Sequence, residues 1–207
     1  MPYCDGVKTR VSYTLLAGLP LILESSSMEF TQPLVVYAVR NNELVFSRGL
    51  HTHAAYPDAG GEPVTVPAYD LKNPSNFFGR LPVPDLDPDI PWVALYHAEK
   101  RYGIALLNLE RWTDTGAPAR PINMPGYYYF MDYGQHGTGD RFGWNFLYFC
   151  RAEIFTITAL PAGSAFHEHS AILVLQEGSA SPRRLRDIEA WRKKLEHPPR
   201  IRYDGER

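Results

Sequence analysis

Short apolar runs, several alternating with polar residues, recur along the whole chain with Gly, Pro, Asn or Asp between them. Residues 9–16, 21–24, 34–40, 43–47, 92–97, 103–109, 127–132, 144–151, 154–160 and 171–176 therefore read as strands. Asn41-Asn42 stands between two of these runs, and asparagine tolerates the positive φ of a primed turn. Residues 34–40 and 43–47 are thus predicted to pair as a hairpin. A second hairpin is predicted where the polar loop Ala98-Glu99-Lys100-Arg101-Tyr102-Gly103 joins Val93-Ala94-Leu95-Tyr96 to Ile104-Ala105-Leu106-Leu107. No helical period lies between the strands, which argues against βαβ units and for an all-β, antiparallel two-sheet sandwich. Residues 56–91, with eight of the 18 prolines, and residues 113–126 read as long ordered loops.

Only the C-terminal end repeats every 3.6 residues. Leu185, Ile188, Trp191 and Leu195 share one face, Ser181 stands where a cap is needed, Pro182 suits the first turn, and His197-Pro198-Pro199 stops the helix. The expected organisation is a β-sandwich over 1–180 with a helix and tail over 181–207 packed on it.

At 44% hydrophobic, 13% aromatic and 21% charged, the 207 residues can build a core without staples. A net charge of -2 gives no field to draw the chain onto nucleic acid. Its basic residues gather on the outer face of the terminal helix (Arg183, Arg184, Arg186, Arg192, Lys193, Lys194) and interleave there with Asp187, Glu189 and Glu196, as on a solvated face. No apolar run reaches the roughly 20 residues that span a bilayer, and Met1-Pro2-Tyr3-Cys4-Asp5 lacks a signal-peptide pattern. No membrane partner is expected, and the chain as it stands belongs in the cytoplasm; if Met1 lies inside a longer secreted protein, that expectation changes. Cys150 sits in the apolar run Trp144-Asn145-Phe146-Leu147-Tyr148-Phe149-Cys150, where a thiol packs as a small hydrophobe instead of pairing with Cys4.

Candidate chemistry concentrates in three places. His51-Thr52-His53 and His167-Glu168-His169 each place two imidazoles at i and i+2, on one side of a strand, where they can hold a divalent metal or a substrate oxyanion. The third place is 126–144, where Tyr127, Tyr128, Tyr129 and Tyr133 lead into a glycine-rich loop bearing Gln135, His136, Asp140 and Arg141. Aromatic rings beside Arg, Asp, His and Gln suit sugars, which offer an apolar face for stacking and hydroxyls for hydrogen bonds; Trp92, Trp112 and Trp144 are the candidate platforms. No Gly-x-Ser-x-Gly, dinucleotide or P-loop pattern occurs, so nucleotide cofactors have no support.

Gly6-Val7-Lys8-Thr9-Arg10-Val11-Ser12-Tyr13 leading to Gly18-Leu19-Pro20, Pro91-Trp92-Val93-Ala94-Leu95-Tyr96 followed by Tyr102-Gly103-Ile104-Ala105, and Leu160-Pro161-Ala162-Gly163 before a late apolar strand follow one order. That order resembles the galactose-mutarotase-like supersandwich of aldose epimerases and polysaccharide lyases. The epimerase sequence His-x-Tyr-Phe-Asn is absent. The resemblance implies a carbohydrate ligand and, for a lyase, β-elimination on a uronic-acid-containing glycan. His53, Tyr129 and His136 are the expected proton-transfer groups, Arg141 the carboxylate clamp, and Trp92, Trp144, Gln135 and Asp140 the substrate contacts. No cofactor is expected on this reading, and a non-catalytic carbohydrate-binding domain is its rival. Pro161-Ala162-Gly163-Ser164-Ala165-Phe166-His167 is similar to the second cupin motif with one residue more. That likeness implies instead a metal-dependent enzyme on a small molecule, with His51, His53, His167 and His169 around a divalent ion.

Overall fold

A computed structural model describes residues 5–37, 39–47, 50–68, 86–87, 89–114, 127–133, 146–154, 157–175 and 182–196. Its strands in chain order are β1 (Val7–Leu15), β2 (Leu21–Phe30), β3 (Leu34–Val36), β4 (Val39–Ser47), β5 (His53–Pro57), β6 (Pro63–Pro67), β7 (Trp92–His97), β8 (Tyr102–Asp114), β9 (Tyr127–Tyr133), β10 (Phe146–Ile154), β11 (Thr158–Leu160) and β12 (Ala165–Leu175), followed by helix α1 (Pro182–Glu196). Seven strands form one antiparallel sheet in the order β1-β2-β12-β8-β7-β5-β6; β4-β10-β9 and β11-β3 form two smaller sheets.

Period-two alternation sorts the large sheet's side chains into two faces. On the inner face Ala54, Val93, Leu95 and Leu106 pack with Leu44 of β4, and Phe30 and Phe166 pack with Leu34, Val36, Val39 and Leu160 of the small sheets. This is a sandwich core. On the outer face Trp92, Leu107, Leu173 and Leu175 receive Leu185 and Ile188 of α1, both 1% exposed. Each such side chain contributes about 1.5–3 kcal/mol on burial, so this docking fixes the helix against the sheet. Expected and observed helix bounds coincide. Arg192 clamps the outer side of the helix through Glu189 at 2.9 Å and through Glu196.

The β7–β8 hairpin forms as the sequence predicts, with Trp92 opposite Leu107 and His97 opposite Tyr102. The Asn41-Asn42 hairpin does not. β4 runs straight through those residues, Asn41 lying opposite Arg151 of β10, while β3 pairs with β11. Register shifts in the β4–β10 ladder at Phe149/Arg151 and Ala152/Ile154 accommodate the asparagine pair as extended backbone. The stretch 56–91 is likewise not all loop. β6 lies within it, with Pro63 and Pro67 at its two ends, and among the described residues it is the last strand of the sheet, a position that tolerates proline. Asp58 closes the β5–β6 turn, its Oδ1 accepting from the N–H of Gly60 at 2.8 Å and of Glu62 at 2.9 Å. At the entry to β12, Gly163 takes φ 84° and donates its N–H to Phe30 O at 2.7 Å, which sets where β12 joins β2.

Candidate functional site

The register of β1, β2, β12 and β8 aligns inner-face residues into rungs across four strands. One rung reads Leu15, Ile22, Ile172, Leu106, and another reads Met28, Phe166 at its centre; both are apolar. Between them lie two polar rungs: Tyr13, Glu24, Ser170, Asn108, and next to it Val11, Ser26, Glu168, Arg111. A bulge makes the second alignment possible. Ser170 faces Asn108 while His169 faces Glu110, so Leu109 is extra in β8 and Arg111 arrives on the inner face beside Asn108.

These polar groups are not at the surface. Glu168 and Ser170 are each 1% exposed, and Glu24 and Ser26 are buried beside them. Ser170 Oγ donates to Glu24 Oε2 at 3.3 Å. Asp89 Oδ1 accepts from Arg111 Nε at 3.1 Å and Nη2 at 2.8 Å, and Arg111 lies opposite Glu168 in the β8–β12 ladder. Asn108 Nδ2 donates to Ile90 O. At the β1 end the rungs open to solvent, with Tyr13 59% exposed and Val11 also exposed. Burial, and then the negative charge of Glu168, push the Glu24 carboxyl above its ordinary range, the Ser170 hydrogen bond opposing them. Glu24 in turn pushes the Tyr13 phenol up. Two buried carboxylates, Glu24 and Glu168, thus stand on adjacent rungs whose β1 end carries the exposed Tyr13 and Val11.

A second polar cluster stands at the far end of the sheet. Thr52 N donates to Tyr96 O at 2.9 Å, and Thr52 Oγ1 accepts from Ala98 N at 3.0 Å and contacts His53 Nδ1 at 2.9 Å. His53 stacks on Tyr96 with centroids 5.6 Å apart. Tyr102 meets His51 at 6.1 Å and His97 at 5.7 Å, and its hydroxyl donates to Leu50 O. His97 Nδ1 accepts from Lys100 N at 3.2 Å, which places any ring proton of the neutral form on Nε2. Burial, reinforced by His97, pushes His51 down to about 4 and His53 in the same direction. Along β8 this cluster and the Asn108 rung are six residues apart, about 20 Å.

Of the catalytic and substrate-contact residues expected, the structure describes the side chains of His53 and Trp92 and the backbone of Tyr129. His53 faces outward, on Tyr96, away from the carboxylate rungs. Trp92 is 1% exposed in the core beneath α1 and cannot stack on a ligand, because its strand is covered on that face by the helix. Tyr129 lies on β9 opposite Cys150; Gln135, His136, Asp140, Arg141 and Trp144 fall outside the described residues. His51 and His53 sit by β7, whereas His167 and His169 lie on β12 against Trp112, so the two His-x-His pairs do not converge. Among the described residues no three His, Cys, Asp or Glu side chains come together to hold a metal ion, and no helix is long and apolar enough to cross a membrane. Glu24, Ser26, Ser170, Asn108 and Arg111 were not singled out by sequence. The available signal was the alternation of Phe166, Glu168, Ser170 and Ile172, polar residues at positions that flank them with core residues.

No protein-family model matches the chain, and no curated protein matches it. Among solved structures it is similar to a galactose mutarotase related enzyme from Lactobacillus acidophilus, with 12% identity and a TM-score of 0.39 over 82% of this chain and 62% of that one. It is also similar to a proposed aldose 1-epimerase from Escherichia coli K12, with 9% identity and a TM-score of 0.31 over 84% of this chain and 67% of the other. The chain thus spans less than two-thirds of the first of these proteins, and the likeness to galactose-mutarotase-like structures is one of fold.

Proposed function

We propose that the protein is a carbohydrate-active enzyme that binds a sugar against the inner-face rungs and moves protons on it with Glu24 and Glu168. The observation that supports this reading is the pair of polar rungs between apolar ones. Two carboxylates in a sandwich core cost stability that hydrophobic residues of the same volume would not. Such a departure from the core pattern is characteristic of functional sites. Burial and the neighbouring Glu168 favour the protonated form of Glu24, which suits it to donate a proton, and Glu168, on the rung of Arg111, is the proton acceptor of this reading.

The finer reading is β-elimination on a uronate. Glu168 removes the proton from the carbon beside the sugar carboxylate, Arg111 neutralises the charge that develops there, the bond to the leaving oxygen breaks, and Glu24 hands its proton to that oxygen. The juxtaposition of Arg111 and Glu168 on one rung favours this chemistry, since base and carboxylate clamp must be neighbours. Incubation with a panel of uronate polysaccharides, followed by absorbance of the unsaturated product, tests it. Product formation that Glu168→Gln lowers by at least about 100-fold is expected. Product formation unchanged in Glu168→Gln overturns the assignment of the base, and silence across the panel overturns the elimination.

A further inference from the structure

β12 carries polar pairs on both faces. Glu168 and Ser170 point into the sandwich, while His167 and His169 lie on the outer face beside Trp112 and Glu110 of β8. Helix α1 packs over β8, β7 and β6, around Trp92 and Leu107.

Trp112 is 41% exposed, yet its ring is held. It lies parallel to the His167 imidazole, with centroids 4.7 Å apart and planes 11° apart, and His169 meets it edge-on at 5.2 Å. His169 Nδ1 is 3.4 Å from Glu110 Oε2 at the rim of the ring. Past Leu107, which pairs with Trp92, β8 has no neighbour strand on its β7 side among the described residues. Among the described residues no strand stands against the ring face turned away from His167. The same rungs continue over β2 and β1 as Ser27 and Arg10, and as Ser25 and Ser12, all exposed or half-buried. Together they make a polar sheet surface about 14 Å wide with one upright aromatic at its border.

We infer that this outer face is a second carbohydrate-binding surface, separate from the carboxylate rungs, on which a pyranose ring of a glycan chain stacks on Trp112. An indole already fixed by two imidazoles loses little conformational freedom on binding, and its apolar face matches the C–H face of a sugar ring. His169, Glu110 and the serines supply donors and acceptors for the hydroxyls around it. An organic cation is disfavoured by Arg10 on the same rung, and a nucleic acid by Glu110 and the absence of a basic stripe.

Affinity electrophoresis through native gels containing hydroxyethyl cellulose, as the neutral glycan, or polygalacturonate, as the acidic one, tests the inference and separates the two sources of a pyranose ring. Retardation in at least one gel is expected. Trp112→Ala should weaken it about tenfold, Trp112→Tyr should retain most of it, and His167→Ala should weaken it several-fold by removing the ring's support. Val35→Ser, at an exposed position of β3 outside both surfaces, should leave it unchanged, and product formation on the uronate panel is measured separately, so that loss of the proposed enzyme activity and loss of this surface are told apart. Because Trp112 is a surface residue, an unchanged melting temperature confirms that each variant is folded. Equal retardation of the wild type and Trp112→Ala, an equal loss of retardation in Val35→Ser, or mobility unaffected by either glycan would overturn it.

Discussion

Glu24→Gln is expected to abolish turnover and at the same time to make the protein more stable at neutral pH. Both effects have one cause. Glu24 is buried next to Glu168, and burial and that neighbouring charge together favour its protonated form. For a carboxyl group held above its ordinary value, the contribution to stability is fully present at low pH and is lost as pH rises through the raised value. Glutamine imitates the protonated form at every pH, and its amide oxygen still accepts from Ser170 Oγ. The variant should therefore gain about 1 kcal/mol at pH 7, or roughly 2–4 °C in melting temperature for a chain of this size. The gain should shrink toward zero as the wild type is acidified and Glu24 takes up its own proton. Turnover should fall by at least about 100-fold, because the proton for the leaving oxygen is no longer available. Thermal melts of the two proteins at several pH values, set beside product formation, check both halves. A variant that is less stable at pH 7 and fully active would show Glu24 to be an ordinary structural residue.

Acid should destabilise the protein through the histidine cluster. His51 is buried against Tyr102 near His97 and is pushed down to about 4 from an ordinary value of 6.5. The unfolded chain takes up a proton that the folded one refuses, so this contribution is present above pH 6.5 and is lost as pH falls through about 4. In full it amounts to about 3 kcal/mol. His53, shifted the same way, adds to the loss, and Glu24, shifted upward, works against it. Denaturant midpoints for the wild type should drop between pH 7 and pH 4, and those for His51→Gln should drop by less than half as much, whatever the variant's stability at pH 7. Parallel pH profiles would show that His51 is protonated in the folded state.

What the sequence made legible was local. The β7–β8 hairpin follows from a polar loop between two apolar runs, and α1 follows from four apolar residues at helical spacing around Pro182; both form as expected. Alternation within one strand also put His167 and His169 on a common side, as they are. The failures required knowledge of a partner strand. Asn41-Asn42 has the chemistry of a turn, and only its ladder with β10 keeps it extended. Prolines in 56–91 read as loop because nothing in the sequence says that β6 is, among the described residues, the outermost strand of its sheet. The carboxylate rungs were least legible of all. Tyr13, Glu24, Ser170 and Asn108 are scattered over nearly 160 residues, and the bulge that brings Arg111 onto the rung of Glu168 is a property of the β8–β12 register, not of either strand alone.

On the proposed function, Glu24 and Glu168 are a coupled carboxylate pair that responds to a bound sugar. Carbon-13 NMR of protein labelled at the glutamate side-chain carboxyls measures this directly, with resonances assigned from Glu24→Gln and Glu168→Gln. The account predicts that the Glu24 resonance titrates above the ordinary carboxylate range, that this titration moves down when Glu168 is replaced by Gln, and that adding an oligouronate shifts both resonances. A Glu24 resonance titrating in the ordinary range, indifferent to Glu168→Gln and to the added sugar, would contradict it.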